Sequence, residues 1–199
     1  MNLIFSKVYD KILVSFKKPI WLILNWLNLF ISNVNFVSFP KISGLIMIKN
    51  RGEICFGNNI NINSYRFGNP VGSLDKMILF CSPEAIIHIG NDVSMSRALI
   101  FAQKSIIIED FVMIGGGVQI WDTDFHPINF QDRIINDNSK IKSYPVLLKE
   151  GVFIGANSII LKGVTIGEHS VIAAGSVVTK NIPSNEIWGG NPACLIKKI

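Results

Sequence analysis

At 199 residues with 49% hydrophobic side chains, the chain is sized for one domain with a sizeable core plus an appendage. Its net charge of +5 is lopsided: residues 1–51 carry Lys7, Lys11, Lys17, Lys18, Lys41, Lys49 and Arg51 against the single acid Asp10. That distribution, without any nucleic-acid module signature, argues against a nucleic-acid partner and for an anionic membrane surface. Cys55, Cys81 and Cys194 show neither pairing nor CxxC spacing, as expected of reduced thiols in a cytoplasmic protein with no disulfide frame or zinc ribbon.

Residues 3–16 place Phe5, Val8, Tyr9, Ile12, Leu13 and Phe16 on one helical face and Lys7, Asp10 and Lys11 on the other. Pro19 ends that helix or starts the next. Residues 20–31 form a second apolar run relieved by Asn25 and Asn28 on one side. Twelve helical residues reach about 18 Å, short of the roughly 30 Å hydrocarbon core, so no spanning helix is expected. No small-residue cleavage site follows, which disfavours a signal peptide. The segment 1–40 is therefore a helical appendage that lies in a membrane interface or packs on a partner subunit, and Trp21 and Trp26 suit the interface.

From Ile42 a branched aliphatic recurs every sixth residue: Ile42, Ile48, Ile54, Ile60. The spacing blurs over 64–85, resumes at Ile89, Met95 and Phe101, slips by one, and continues at Ile108, Ile114 and Ile120. Residues 121–145 carry no such ladder; it restarts at Leu148 and runs through Ile154, Ile160, Ile166 and Ile172 to Val178. A period of six fits neither a helix nor a two-faced strand, but it fits a chain that turns a corner after each short strand. Gly155, Asn157, Gly167 and Gly175 stand at the corners, where positive φ is expected. The prediction is an all-β solenoid over 41–182 with a loop at 121–145 and a tail at 183–199. A solenoid interior is filled with side chains, so a site belongs on an outer face, in a loop or between subunits.

Several stretches carry a resemblance: DTDFHP at 122–127, Arg133, PVLLKEGVFIGANSIILKGVTIG at 145–167, SVIAAGSVVTKNIP at 170–183 and GNPA at 190–193. From about residue 86 onward the chain resembles the hexapeptide-repeat O-acetyltransferases of the galactoside, maltose and surface-polysaccharide type. The resemblance implies a left-handed parallel β-helix, a homotrimer with sites between subunits, and acetyl-CoA as co-substrate with no metal needed for the chemistry. It implies that His126 is the general base that takes the proton from a sugar hydroxyl as that oxygen attacks the thioester. Asp122 and Asp124 would orient His126, hold acceptor hydroxyls or only shape the turn. Arg133 would brace the loop or meet the acceptor, and Ser96 stands where the galactoside enzymes carry a substrate-binding Asn. Ala156 and Ala174 would offer backbone to pantetheine, with Thr179, Lys180 and Lys197 at the nucleotide end. Cys194 replaces a basic residue of those enzymes. Trp121 would line the pantetheine channel or close the core.

His88 and His169 are read as solvated, and Gly115–Gly117 lacks the ending of a phosphate loop and permits a flat coil or close cofactor approach. The expected activity is O-acetylation of a sugar hydroxyl on a glycan or surface-polysaccharide precursor, in the cytoplasm or peripherally at the inner face of the membrane. Alternatives on the same fold are an antibiotic O-acetyltransferase, an amino-sugar N-acetyltransferase, a non-catalytic scaffold, and a zinc carbonic anhydrase, whose close histidine spacing is missing here.

Overall fold

The computed structural model describes residues 18–199; the amphipathic stretch expected at 3–16 lies outside the described residues. Three parallel sheets wrap one axis as a left-handed β-helix. The first face holds Val34–Phe36, Glu53–Phe56, Ile86–Ile89, Ser105–Ile108, Val146–Leu148 and Thr165–Ile166. The second holds Lys41–Gly44, Asn61–Ser64, Ser94–Ser96, Met113–Ile114, Phe153–Ile154, Val171–Ile172 and Glu186–Gly189, and the third Met47–Asn50, Ile78–Cys81, Leu99–Ala102, Gln119–Trp121, Ile159–Ile160 and Val177–Val178. The chain visits the faces in turn, so three hexads make one coil and Leu148 sits over Ile166, Ile154 over Ile172, Ile160 over Val178.

The six-residue ladder is the core: Ile108, Ile120, Leu148, Ile154, Ile160, Ile166, Ile172 and Val178 are fully buried. Each such aliphatic contributes about 1.5–3 kcal/mol on leaving water. Beside every rung lies a smaller inward residue. Three of these are serines, Ser158, Ser170 and Ser176, whose buried hydroxyls donate to the carbonyls of Ala173, Pro183 and Ala173. A polar atom is tolerated there because a corner carbonyl stands within reach.

Earlier coils depart from the sequence reading in register. Ile54 and Ile60 are buried, but they occupy the inner column; Phe56 and Ile62 align with the rungs Ile89 and Met95. On the third face Ile100, not Phe101, pairs with Ile120 and fills the core. The corner Ser96-Arg97-Ala98 is one residue shorter than Gly115-Gly116-Gly117-Val118, so the slip falls before Phe101 and turns that ring outward. The corners themselves use two devices. Asn157 and Gly175 adopt φ of +59° and +73° as expected. Gly155 and Gly167 do not; a Cβ there would run into the backbone of Ala174 and of Ser184 on the next coil.

Both ends of the stack are closed. At the start, helix α1 (residues 18–31) lies across the first coil and buries Trp21, Asn25 and Leu29. Asn25 donates to the Gly44 carbonyl and accepts from the Ile46 amide, while Asn28 donates to the Ile46 carbonyl. The two asparagines that interrupt the apolar run are thus the inward side of α1. The first strand, Val34–Phe36, follows directly, ahead of residue 41. At the far end, Glu186–Gly189 adds a further parallel rung on Val171–Ile172, and Cys194–Lys198 returns antiparallel beside it. Residues after 183 therefore continue the solenoid before leaving it.

A second excursion, residues 65–77, folds back onto the second face. Buried Arg97 holds it by donating to the carbonyls of Leu74 and Asn69, each at 2.6 Å, and of Val71. Asn157 accepts from the Ser73 amide at 3.0 Å. The glycine run serves this contact: a Cβ on Gly116 would overlap the Val71 carbonyl, and one on Gly72 would overlap Gly116. Gly116→Ala is expected to push the 65–77 segment off the coil and to cost about 2 kcal/mol in chemical denaturation, with the β-sheet circular dichroism of the coils kept.

Candidate active site

The protruding loop leaves the third face after Trp121 and returns to the first at Val146. Its two stems zip together: the Tyr144 amide donates to the Asp122 carbonyl, the Asp124 amide to the Lys142 carbonyl, and the Ser143 hydroxyl to the Thr123 hydroxyl at 2.9 Å. Between them sit α2 (Phe130–Ile134), capped by Asn129, and a 3-10 turn, Asn138–Lys140, capped by Asp137. Each cap oxygen takes orphan amides of the first turn.

His126 stands on a tight bend within this loop. Phe125 adopts φ +61°, and the His126 amide donates to the Asp124 carbonyl at 2.7 Å. Asp124 is anchored by Lys162, Nζ to Oδ1 at 2.6 Å, and its Oδ2 is buried without a partner. On the other side Arg133 donates to the carbonyls of Pro127 and Ile128. The backbone is thus clamped before and after His126, while the imidazole is exposed. It opens on a cleft of about 660 Å³ lined by Phe101, Gln103, Thr123, Phe125, Asn136, Asn138, Ile141 and Ser143. Hydroxyls and amides beside aromatic rings suit a polyhydroxylated ligand.

The acidic residues divide by role. Asp122 is fully buried, and its two oxygens accept from the backbone amides of Gln103, Lys104 and Ser105, all at 2.7 Å. Burial pushes its carboxyl up from the ordinary range, against those three donors. It locks the corner before the loop and cannot touch an acceptor, which corrects the expectation of substrate contact. Asp124 shapes the turn into His126, and Arg133 braces the loop. Ser96 lies elsewhere: it lines a hollow of about 360 Å³ on the second face with Asn61, Asn63, Met113, Gly115 and Ala156, walled by Asn69 and Val71 of the excursion.

Ala156 and Ala174 stand one above the other at the corner between the second and third faces. Ala174 is exposed and neither its amide nor its carbonyl is bonded among the described residues; the Ala156 carbonyl accepts from Gly175. Thr179 and Lys180 are exposed past the last strand of the third face, Lys180 Nζ lying 5.1 Å over the Trp188 ring. Lys197 is exposed on the return strand. Trp121 points outward, edge-on to Phe125 at 5.8 Å, so it does not close the core. Phe125 in turn meets Phe101, which stacks on Phe80 at 4.4 Å. His88 is exposed on the first face of the third coil and His169 at a corner of the sixth with φ +56°, three coils apart from each other. Among the described residues no three His, Cys, Asp or Glu side chains gather as a metal site.

Within one chain the proposed residues therefore form two groups, at opposite edges of the third face. Ser96, Ala156 and Ala174 follow the second face; His126 and the loop follow the third. Sequence reasoning missed Phe101, Phe125, Gln103, Asn136 and Asn138 as cleft residues: Phe101 was counted as a ladder rung, and the loop and corner residues carry no periodicity that says which way they face.

Comparison with known proteins places this geometry in context. The family model for bacterial transferase hexapeptide (six repeats) matches residues 145–180. Galactoside O-acetyltransferase of Escherichia coli (strain K12) is 37% identical over 114 residues, which cover 57% of this chain and 54% of that protein. Protein CapG of Staphylococcus aureus is 42% identical over 120 residues, 60% of this chain and 57% of the relative. The chain thus spans little more than half the length of these curated relatives. The crystal structure of a maltose O-acetyltransferase from Clostridium difficile 630 is similar over 94% of this chain and 86% of that one, with a TM-score of 0.55 and 30% identity.

Proposed function

This chain belongs to the bacterial hexapeptide-repeat transferase family, and we propose that it moves an acetyl group from acetyl-CoA to a sugar hydroxyl of a glycan precursor. The observation that carries the reading is His126: a free imidazole on a doubly clamped turn, opening on a cleft of amides, hydroxyls and rings. A neutral ring nitrogen accepts the hydroxyl proton as the sugar oxygen attacks, and the imidazolium so formed returns it to the departing sulfur. The clamps fix where that nitrogen sits, which is how a positioned base gains over one in solution.

Acetyl-CoA supplies an acyl group already activated as a thioester, so no acyl-enzyme is required. The chain's own residues fit such a co-substrate. Ala174 offers exposed, unbonded backbone with no side chain in the way, Ala156 repeats the small corner one coil below, and Lys180 and Lys197 bring positive charge to the same end of the stack for phosphates. Trp121 and Thr179 lie along the third face between these corners. The separation of the thioester corner from His126 by the width of that face supports a homotrimer, in which the corner of one protomer faces the loop of its neighbour. Ser96 would then meet the acceptor from across the interface.

Thiol release from acetyl-CoA, measured against a panel of mono- and oligosaccharides, tests the reading. Turnover with at least one sugar and none with its amine-free, hydroxyl-blocked analogue is the expected result. A chain that neither binds acetyl-CoA nor releases thiol with any sugar would leave only a scaffold.

A further inference from the structure

Helix α1 turns Asn25 and Asn28 inward beside Trp21 and Leu29 and leaves a second, wider apolar face outward. A surface helix ordinarily turns its apolar stripe to the core. Here Asn25 and Asn28 bond the first coil, and Leu22, Ile23, Trp26, Phe30 and Ile31 project away from it with 51–78% of their surface exposed. Val37, at 72%, extends the patch beyond the helix. A hollow of about 290 Å³ at its centre is lined only by Leu22, Ile23, Trp26 and Phe39. Because α1 lies across the end of the stack, this surface forms one base of the prism, remote from the cleft on its side.

Charge identifies the occupant. Between residues 18 and 52 the chain carries Lys18, Lys41, Lys49 and Arg51, all exposed, and no acid. An apolar patch on a segment with four exposed cations, followed by the single exposed acid Glu53, matches a layer of anionic headgroups over acyl chains. A second copy docked base to base would set lysine against lysine, which opposes that pairing. Trp26 stacks on Phe30, ring centroids 5.7 Å apart, and places an indole where membrane-interface proteins favour one. No helix among the described residues is long and apolar enough to cross a bilayer, so α1 would lie on it.

We propose that this base of the β-helix docks on an anionic lipid surface, with α1 in the headgroup plane and the coils rising from it. The loop bearing His126 leaves the fourth coil. At about 4.8 Å per coil, with a helix diameter of about 10 Å beneath, the cleft would stand roughly 25 Å above the lipid. The docking itself does not depend on the acetyl-transfer reading.

The test is co-sedimentation of the full chain with phosphatidylcholine vesicles, with and without phosphatidylglycerol. Binding to the anionic vesicles is expected, with a partition coefficient about tenfold lower on neutral vesicles or in high salt. The double variant Leu22→Glu/Trp26→Glu changes only exposed positions. It should keep the wild-type melting curve and lose lipid binding by about tenfold or more. A wild-type chain that stays in the supernatant with both lipids overturns the proposal. So does a double variant that pellets like wild type, or one whose mass in light scattering falls, which would assign the face to another copy.

Discussion

His126→Ala should lower kcat for acetyl transfer by about a hundredfold to ten-thousandfold, the usual contribution of a positioned general base. Its KM for acetyl-CoA should stay near wild type, because the groups proposed to hold the cofactor are the Ala156 and Ala174 backbone with Lys180 and Lys197, not the imidazole. The fold should be unaffected, since the ring is exposed and makes no hydrogen bond within the described chain. An equal loss in a variant with an unchanged circular dichroism spectrum therefore reports chemistry. The companion variant Ala174→Trp should act oppositely, raising KM for acetyl-CoA by filling an exposed corner. Mixing the two variants after unfolding and refolding together tests the intersubunit site. If the loop of one protomer serves the corner of another, some sites in mixed trimers regain both intact halves and activity returns. Silence in the mixture, with trimers present, would place both halves in one chain and sink the arrangement.

The largest loss of stability is expected from Arg97→Ala, about 3–5 kcal/mol, or a fall in Tm on the order of 10 °C. Arg97 is 1% exposed and has no carboxylate partner among the described residues; its charge is met by the carbonyls of Asn69, Val71 and Leu74. Alanine leaves those oxygens without donors and opens a cavity under the excursion. Arg97→Lys should fall between, since one ammonium cannot fork to three carbonyls spread over the loop. The loss should be local before it is global. Hydrogen exchange and limited proteolysis are expected to rise first within 65–77, while the coils from Ile86 onward hold. Exchange rising uniformly along the chain would show that Arg97 supports the stack rather than the excursion.

The later coils were legible in the sequence because repetition fixes them. From Leu148 to Val178 every rung stands where the period of six puts it, since each corner has the same length. Earlier corners vary in length, and a period cannot tell which of two neighbouring aliphatics points inward. Ile54 and Phe56 are both buried, as are Ile60 and Ile62, so only backbone pairing separates them. The slip at Ser96–Ala98 was visible as a miscount, but not that a buried arginine fills it. The placement of His126 and Arg133 on the protruding loop was readable from motif and spacing. Asp122 was not, because an aspartate beside a histidine reads the same whether it faces solvent or three amides. The orientation of α1 was hidden for a similar reason. Periodicity separates the asparagine side from the aliphatic side but does not say which one the fold consumes.

The two closures of the stack bear on what the chain avoids. Successive coils sit at the spacing of cross-β fibres, and an uncovered terminal coil is a template on which another molecule could continue the ladder. Asn25 and Asn28 occupy that template at one end, and at the other Ala193 and Gly190 take the free groups of Val177 while Cys194–Lys198 runs backwards against the last rung. A reversed strand offers an incoming parallel coil no matching register. The prism thus remains a particle of fixed height rather than the seed of a filament.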